Sequence, residues 1–442
     1  MYLTTKVQQT QQKHEVDMSI LRNLCYHAAR LYNVGLYSVR QHYFNTQSYL
    51  SYYSNYNLCK TNEHYQILLT DVSQQILRLV DRDMQSFFKL LTLKKSGKYS
   101  EKINLPHYKP ADALMTLAVQ GRSCRIQKDG KVAIGLTKEF RDKYNISERR
   151  ILFTIPKNIR HVTEFKEIRI IPEYNGKQYS IEFIYESGKI KESITDNDNY
   201  MSIDLGVNNL AACTVFSNGK SHQFLVDGKR LKNINYYYNK KVASLKSIYD
   251  TDKNIDSIIT KRMLRLINGR KNRINDYFNK SVKYIIRQCI DNDVCSLVIG
   301  YNKEQKQSIN IGNVNNQNTV MIPLYLFREK LKYQCEINGI KYCPQEESYT
   351  SKASAINGDE IPVYGDSEKH VFSGTRSKRG LYKNKPDNTV INADINGSVN
   401  ILRKYLKSKS KTINVNDVRA LVNMPCPRIN PWSKAYKSLV CG

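Results

Sequence analysis

The sequence predicts an α+β chain of several domains, and three observations lead there: a helical stretch toward the N-terminus, a run of strand hairpins after it, and a third region in which strands and helices alternate. Its 442 residues suffice for two or three domains with real cores. Residues 1–14 read as a first strand that belongs with the later hairpins. Residues 15–100 read as a helical module, because Leu21, Leu24, Cys25, Ala28 and Leu31 recur at helical spacing and Val72, Ile76, Val80, Phe87 and Leu91 repeat the pattern. The basic loop KKSGKYSEK ends it. LPHYKP cannot continue it, since each proline biases its predecessor toward extended geometry.

Residues 101–198 read as a β domain. RIQKDGKVAIGL gives two short strands around Asp129-Gly130, and EIRIIPEYNGKQYSIEFIYE gives two more around Asn175-Gly176, both favoured hairpin turns. The expectation is a small β-barrel or open sheet, closed off by the polar linker KESITDNDN at 191–199. Residues 199–405 form the third domain. MSIDLGVN, NLAACTVFS and SHQFLVDG are three strand-like runs, followed by a long basic helical region over 229–292 and an apolar strand over 294–300. A polar loop, a helix from Pro323 to about Ile337, a strand IKYC and a helix beginning near Asp394 complete the series. The order βββ-α-β-α-β-α is that of the ribonuclease H-like fold. Residues 406–442 lack periodicity and read as a flexible basic tail.

Lys and Arg number 69 against 40 Asp and Glu, a formal charge of +29, and such an excess of cations calls for a polyanionic partner, nucleic acid first. Mean hydropathy is −0.56, no apolar run approaches the ~20 residues that cross a bilayer, and MYLTTKVQQT lacks a signal peptide's apolar stretch. A soluble cytoplasmic protein is expected. None of the ten cysteines forms a C-x2-C pair, so no zinc is expected. No phosphate-binding G-x4-G-K-[ST] loop, Ser-His-Asp order or dinucleotide glycine set occurs, and the eight histidines are dispersed singly. Nucleotide hydrolysis and histidine-based nuclease chemistry have no support.

Asp204 stands at the end of an apolar strand in SIDLGVNN, with Gly206 two positions on, a setting that suits a metal seat. Asp394 opens a helix in NADINGSVNILRK, where it reads equally well as an N-cap. The two segments lie 190 residues apart with the alternating elements between them. In combination they resemble the first and third RuvC motifs of the TnpB family, transposon-encoded RNA-guided DNA nucleases related to the type V CRISPR effectors. The resemblance is sharp from about 199 to 405. The helical module and β domain agree with the family's recognition module and wedge domain in order and size.

The resemblance implies that Asp204 and Asp394, with a glutamate, hold divalent metal. Two ions clamped by shared carboxylates would activate a water and stabilise the leaving oxygen of a phosphodiester, and Mg2+ (or Mn2+) suits an all-oxygen shell. The strand that normally ends in the second-motif glutamate reads SLVIGYNK and carries Gly300 there. Glu304 and the pair Glu346-Glu347 are the candidates to replace it. Neighbouring strand ends lie about 4.8 Å apart, so a carboxylate can move from one to the next and reach the same metal. ESYTSKAS also resembles a branch with a relocated glutamate, which points to Glu347, with Glu346 second. Loss of activity is the alternative.

The insert at 351–390, where most family members carry a zinc ribbon, contains no cysteine. Its Arg376, Lys378, Arg379 and Tyr382 are expected to contact target nucleic acid, as are Lys271 and Arg273 on the long basic helix. The implied activity is a metal-dependent, RNA-guided DNA endonuclease that pairs guide RNA with target DNA and reads a short flanking motif. A CRISPR effector, a nuclease-dead RNA-guided regulator and a guide-independent RuvC-like nuclease remain alternatives.

Overall fold

The computed structural model describes residues 2–10, 15–186, 191–217, 221–249, 259–302, 321–363, 365, 370–378 and 380–433. The chain divides into two compact units, Met1–Gly188 and Lys189–Gly442.

In the first unit, β1 (Tyr2–Thr10) precedes four helices: α1 (Met18–Thr46), α2 (Tyr52–Cys59), α3 (Glu63–Gln66) and α4 (Thr70–Lys95). Asp17 caps α1 by accepting the Ser19 N–H at 2.8 Å, and Ser51 and Asn62 do the same for α2 and α3. Strands β2 (Leu117–Gln120), β3 (Cys124–Ile126), β4 (Lys131–Gly135), β5 (Arg150–Thr154), β6 (Glu167–Glu173) and β7 (Gln178–Glu186) follow, with α5 (Lys138–Tyr144) between β4 and β5. A barrel was one expectation here. Instead the described strands form two open sheets, β1-β7-β6-β2 and β3-β4-β5. The tight turn at Gly121–Ser123 carries the chain from the first sheet into the second, and both sheets pack on the apolar faces of α1 and α4. The helical and β regions therefore share one core, running from Leu21 and Leu77 to Phe153 and Phe183.

The second unit is built on a six-stranded sheet. Strands β8 (Tyr200–Leu205), β9 (Asn209–Phe216) and β10 (His222–Asp227) run antiparallel to one another. Helices α6 (Lys229–Tyr249) and α7 (Lys261–Asp291) lead to β11 (Ser296–Tyr301), and α8 (Leu324–Ile337) leads to β12 (Lys341–Glu346). Both of these strands run parallel to β8, giving the order β12-β11-β8-β9-β10-β16, where β16 is Arg428–Ile429. Parallel strands need helical crossovers, and α7 and α8 supply them, burying Ile274, Phe278, Ile285, Phe327 and Leu331 against the sheet. A small sheet of β13 (Gly374–Lys378), β14 (Leu381–Asn384) and β15 (Val390–Asn392) precedes α9 (Ala393–Lys407).

Helix α9 lies on the face of the main sheet away from α7, with Ile395, Val399, Ile401 and Leu402 all at most 1% exposed. The segment after 406 departs from the expected loose tail as far as residue 433. It forms α10 (Val415–Val422), whose Val418 and Leu421 pack on Leu225 and Val399, and β16, which pairs in parallel with Leu225 and Val226. Apolar residues at 418, 421 and 429 drive this docking; their spacing was too short to read as periodicity.

Candidate active site

The register of the parallel strands fixes the site. Ile203 of β8 pairs with Ile299 of β11, and Gly300 and Tyr301 pair with Gln345 and Glu346 of β12. Asp204, Gly300 and Glu347 therefore stand at neighbouring strand ends on one edge of the sheet, the carboxyl ends where open sheets bind ligands.

At Gly300 the absence of a side chain is occupied space. A Cβ there would lie 2.6 Å from Glu347 Oε2 and 2.6 Å from Ile401 Cδ1. The glutamate one strand over has its carboxylate where a side chain at 300 would begin. Gly397 does the same for the aspartate, since a Cβ on it would lie 2.6 Å from Asp204 Oδ2. Helix α9 thus approaches β8 closely enough for its own Asp394 to face the same cleft.

The cap of α9 is Asn392, whose side chain accepts the N–H groups of Asp394 at 2.9 Å and Ile395 at 3.2 Å. Asp394, expected as a possible N-cap, is released from that task. Its Oδ2 accepts from Asn209 Nδ2 at 2.7 Å, and its Oδ1 pairs with the Arg376 guanidinium at 3.3 Å. Asp204, Glu347, Asp394, Asn209, Arg376 and Lys229 all line one cleft of about 940 Å³.

The electrostatics follow from crowding. Burial pushes the Asp204 carboxyl well above its ordinary value, Glu347 and Asp394 push it further, and Arg376 partly opposes them. Burial, then the charge of Glu346, raises Glu347. Burial alone would raise Glu346 also, but hydrogen bonds from Lys404 and Ser348 hold it below the usual carboxylate range. The two neighbouring glutamates are thus separated in role: Glu346 is an ion-pair partner and Glu347 faces the cleft.

A divalent cation fits this donor set: three carboxylates, two of them raised by burial and like charge, in one cleft. Asn209 Oδ1 is in addition buried without a hydrogen-bond partner. Among the described residues no three acidic, histidine or cysteine side chains are gathered closely enough to hold an ion as they stand. Asp394 is turned toward Arg376 and Asn209 instead.

The other expected contact residues divide. Lys271, Arg273, Arg376 and Lys378 are exposed. Tyr382 is not: it is 0% exposed, packs with Ile356 and Ile391, and donates its hydroxyl to the Lys352 carbonyl at 2.8 Å, so it cannot stack on a base. As a strand residue pairing with Arg376, it points to the opposite face from its exposed neighbours Leu381 and Lys383. Arg379 and Glu304 lie outside the described residues. Sequence reasoning missed Asn209 and Asn392; each sits within a quoted motif, but only contact with Asp394 gives it meaning.

Residues 182–306 match the family described as Probable transposase (OrfB_IS605), and residues 325–401 match the Cas12f1-like TNB domain. The TnpB-like protein ORF457 of Acidianus two-tailed virus is 24% identical over 414 residues, covering 87% of this chain and 83% of that one. A solved Cas12f1–sgRNA–target DNA complex contains a chain of similar fold, with a TM-score of 0.53 at 16% identity over 87% of this chain and 82% of the other. Two family models and a TnpB-like relative thus point to the TnpB family, with the model matches confined to residues 182–306 and 325–401.

Proposed function

We propose that the protein is an RNA-guided DNA endonuclease whose second unit is a RuvC nuclease domain of ribonuclease H-like fold. The observation that carries the reading is the convergence of Asp204, Glu347 and Asp394 on one cleft, with the Glu347 carboxylate filling the space left by Gly300. The sheet order, three antiparallel strands flanked by two parallel ones reached through helices, supports it. So does the similarity to a TnpB-like relative and to the two family models, together with a similar fold in a complex that holds guide RNA and target DNA.

In this reading Asp204, Glu347 and Asp394 hold Mg2+, which when bound supplies an activated water and stabilises the leaving oxygen of the phosphodiester. The chain's own groups do the rest. Asn209 orients Asp394 through its Nδ2. Arg376 and Lys229 bring positive charge to the rim, where a phosphate backbone approaches the acidic floor. Exposed Lys271, Arg273 and Lys378 bind phosphates outside the cleft. In the first unit, α1 to α4 act as the recognition module and the two sheets as the wedge domain. Guide RNA supplies specificity by pairing, and the protein reads a short flanking DNA motif.

The test is to purify the protein from cells carrying its native locus and sequence the RNA that accompanies it. A discrete RNA with a constant scaffold and a variable end is expected, and random RNA or none refutes guidance. The match of 325–401 to a Cas12f1-like domain favours a second reading, a CRISPR effector, and the map position of that RNA separates the two. Asp204→Ala, Glu347→Ala and Asp394→Ala are each expected to abolish Mg2+-dependent cutting while guided binding survives.

A further inference from the structure

A glutamate beyond the end of a strand lacks the sheet's support, and β12 ends at Glu346, one residue before the carboxylate that matters. We propose that Lys404, with Asn396 and Asn400, is a positioning device that fixes Glu347 by holding the chain on both sides of it. The inference rests on the reading of Glu347 as a metal-binding carboxylate.

The Lys404 ammonium, on a side chain only 12% exposed, pairs with Glu346 Oε2 and donates to the Ser348 carbonyl at 3.2 Å. One cation therefore holds the residue before Glu347 and the residue after it. The Ser348 N–H donates to Glu346 Oε1 at 2.6 Å and closes the turn between them. One helical turn toward the N-terminus of α9, Asn400 Nδ2 donates to the Thr350 carbonyl at 2.9 Å and the Ala353 carbonyl at 2.7 Å. One turn further, Asn396 Nδ2 donates to the Ala353 carbonyl at 2.8 Å, and its Oδ1 accepts the Ala355 N–H at 3.0 Å.

Positions 396, 400 and 404 share one face of α9, and both asparagines are fully buried. A helix packed on a sheet has no need of two amides on its buried face. Here they satisfy the backbone of an irregular segment that would otherwise be buried without partners. The same helix carries Asp394. Its rigidity thereby sets the separation of two carboxylates that come from a helix and a loop, where a glutamate at 300 would have been set by the strand itself.

The experiment uses the full chain and Mn2+ alone as probe, followed by electron paramagnetic resonance, with thermal melts in parallel. Glu347→Gln gives the reference loss of Mn2+ affinity. Lys404→Met is expected to weaken affinity by roughly ten-fold, as loss of groups that orient metal ligands does, and Lys404→Arg to recover most of it. If Glu347→Gln weakens binding while Lys404→Met lowers only the melting temperature, Lys404 is merely structural and the inference is overturned. Should neither change Mn2+ affinity, the reading of Glu347 itself fails and the device with it. If Lys404→Met does not fold, Glu346→Gln removes the same ion pair from the half-exposed side; a several-fold loss supports the inference and wild-type affinity overturns it.

Discussion

Gly300→Ala separates stability from catalysis more sharply than removal of any carboxylate. The added Cβ would meet Glu347 Oε2 and Ile401 Cδ1 at 2.6 Å each, about 0.8 Å inside the 3.4 Å at which contact becomes ordinary. Both atoms are the far ends of side chains that can swing away. The cost in stability therefore falls at the low end of the range for overpacking, about 1 kcal/mol. In a unit of this size that is a drop of about 2–4 °C in melting temperature. On the proposed reading of Glu347 the carboxylate cannot be displaced so cheaply, because a misplacement near 1 Å in a catalytic group costs about 100-fold in rate. We expect single-turnover cutting by the RNA-loaded protein to fall about 100-fold while guided binding is unchanged. Cutting at the wild-type rate by a folded Gly300→Ala protein would refute the assignment of Glu347. Combining Gly300→Glu with Glu347→Gly returns the carboxylate to the strand and should cut faster than Glu347→Gly alone.

If Asp394 holds metal as proposed, Arg376→Gln frees it from a competing cation; exposed pairs of this kind contribute about 0.2–1 kcal/mol, so Mn2+ affinity of the free protein should rise by up to about five-fold in a titration. In the first unit, His27 is buried between His64 and Tyr144, at 2.8 Å from each, and burial, then His64, pushes its pKa down to about 4. It stays neutral in the folded state while the unfolded chain takes up a proton below about 6.5. Stability is therefore fully present above pH 6.5 and lost as the pH falls toward 4, by about 2 kcal/mol once solvent screening is allowed for. Urea unfolding of wild type and His27→Gln at pH 7 and 4.5 checks this. The only tryptophan, Trp432, reports on the second unit and should not share the loss. Asp359 accepts the N–H groups of Ser354 at 2.8 Å and Ser373 at 3.0 Å and the Ser373 hydroxyl at 2.5 Å, holding the cysteine-free insert together. Asp359→Ala should cost about 2 kcal/mol and speed proteolysis within the insert, while a chelator leaves the wild-type rate unchanged.

Strands β8 to β12 and the helices that follow them were legible because each announces itself locally, as an apolar strand bounded by turns or a helix with one apolar face, whereas β13 to β15 in the insert were not. Asp204 and Asp394 were legible as a pair because their motifs are long and their order is fixed. Glu347 was reached through the absence at Gly300 and the likeness of ESYTSKAS, and the structure sets it apart from Glu346 by a contact that ties Glu346 to a lysine 58 residues later. Tyr382 was misread because alternation in a four-residue strand does not say which face is buried. The open sheets of the first unit were ambiguous for a similar cause: a hairpin fixes its own two strands and says nothing about closure. The docking of 415–429 depends on three apolar side chains meeting a surface formed some 200 residues earlier, information that no window of sequence contains.

That last distance has a consequence during synthesis. Strand β10 pairs with β9 as soon as both leave the ribosome, but its other edge is covered only when Arg428 and Ile429 arrive, with the Pro427 carbonyl accepting the Leu225 N–H at 2.9 Å. At about 5–20 residues per second, the intervening 200 residues take roughly 10–40 s to make. For that interval an apolar strand presents open backbone groups to every neighbouring nascent chain. The short terminal strand is thus a late seal on the growing protein, and translation that stops before it leaves a nearly complete fold with an adhesive edge.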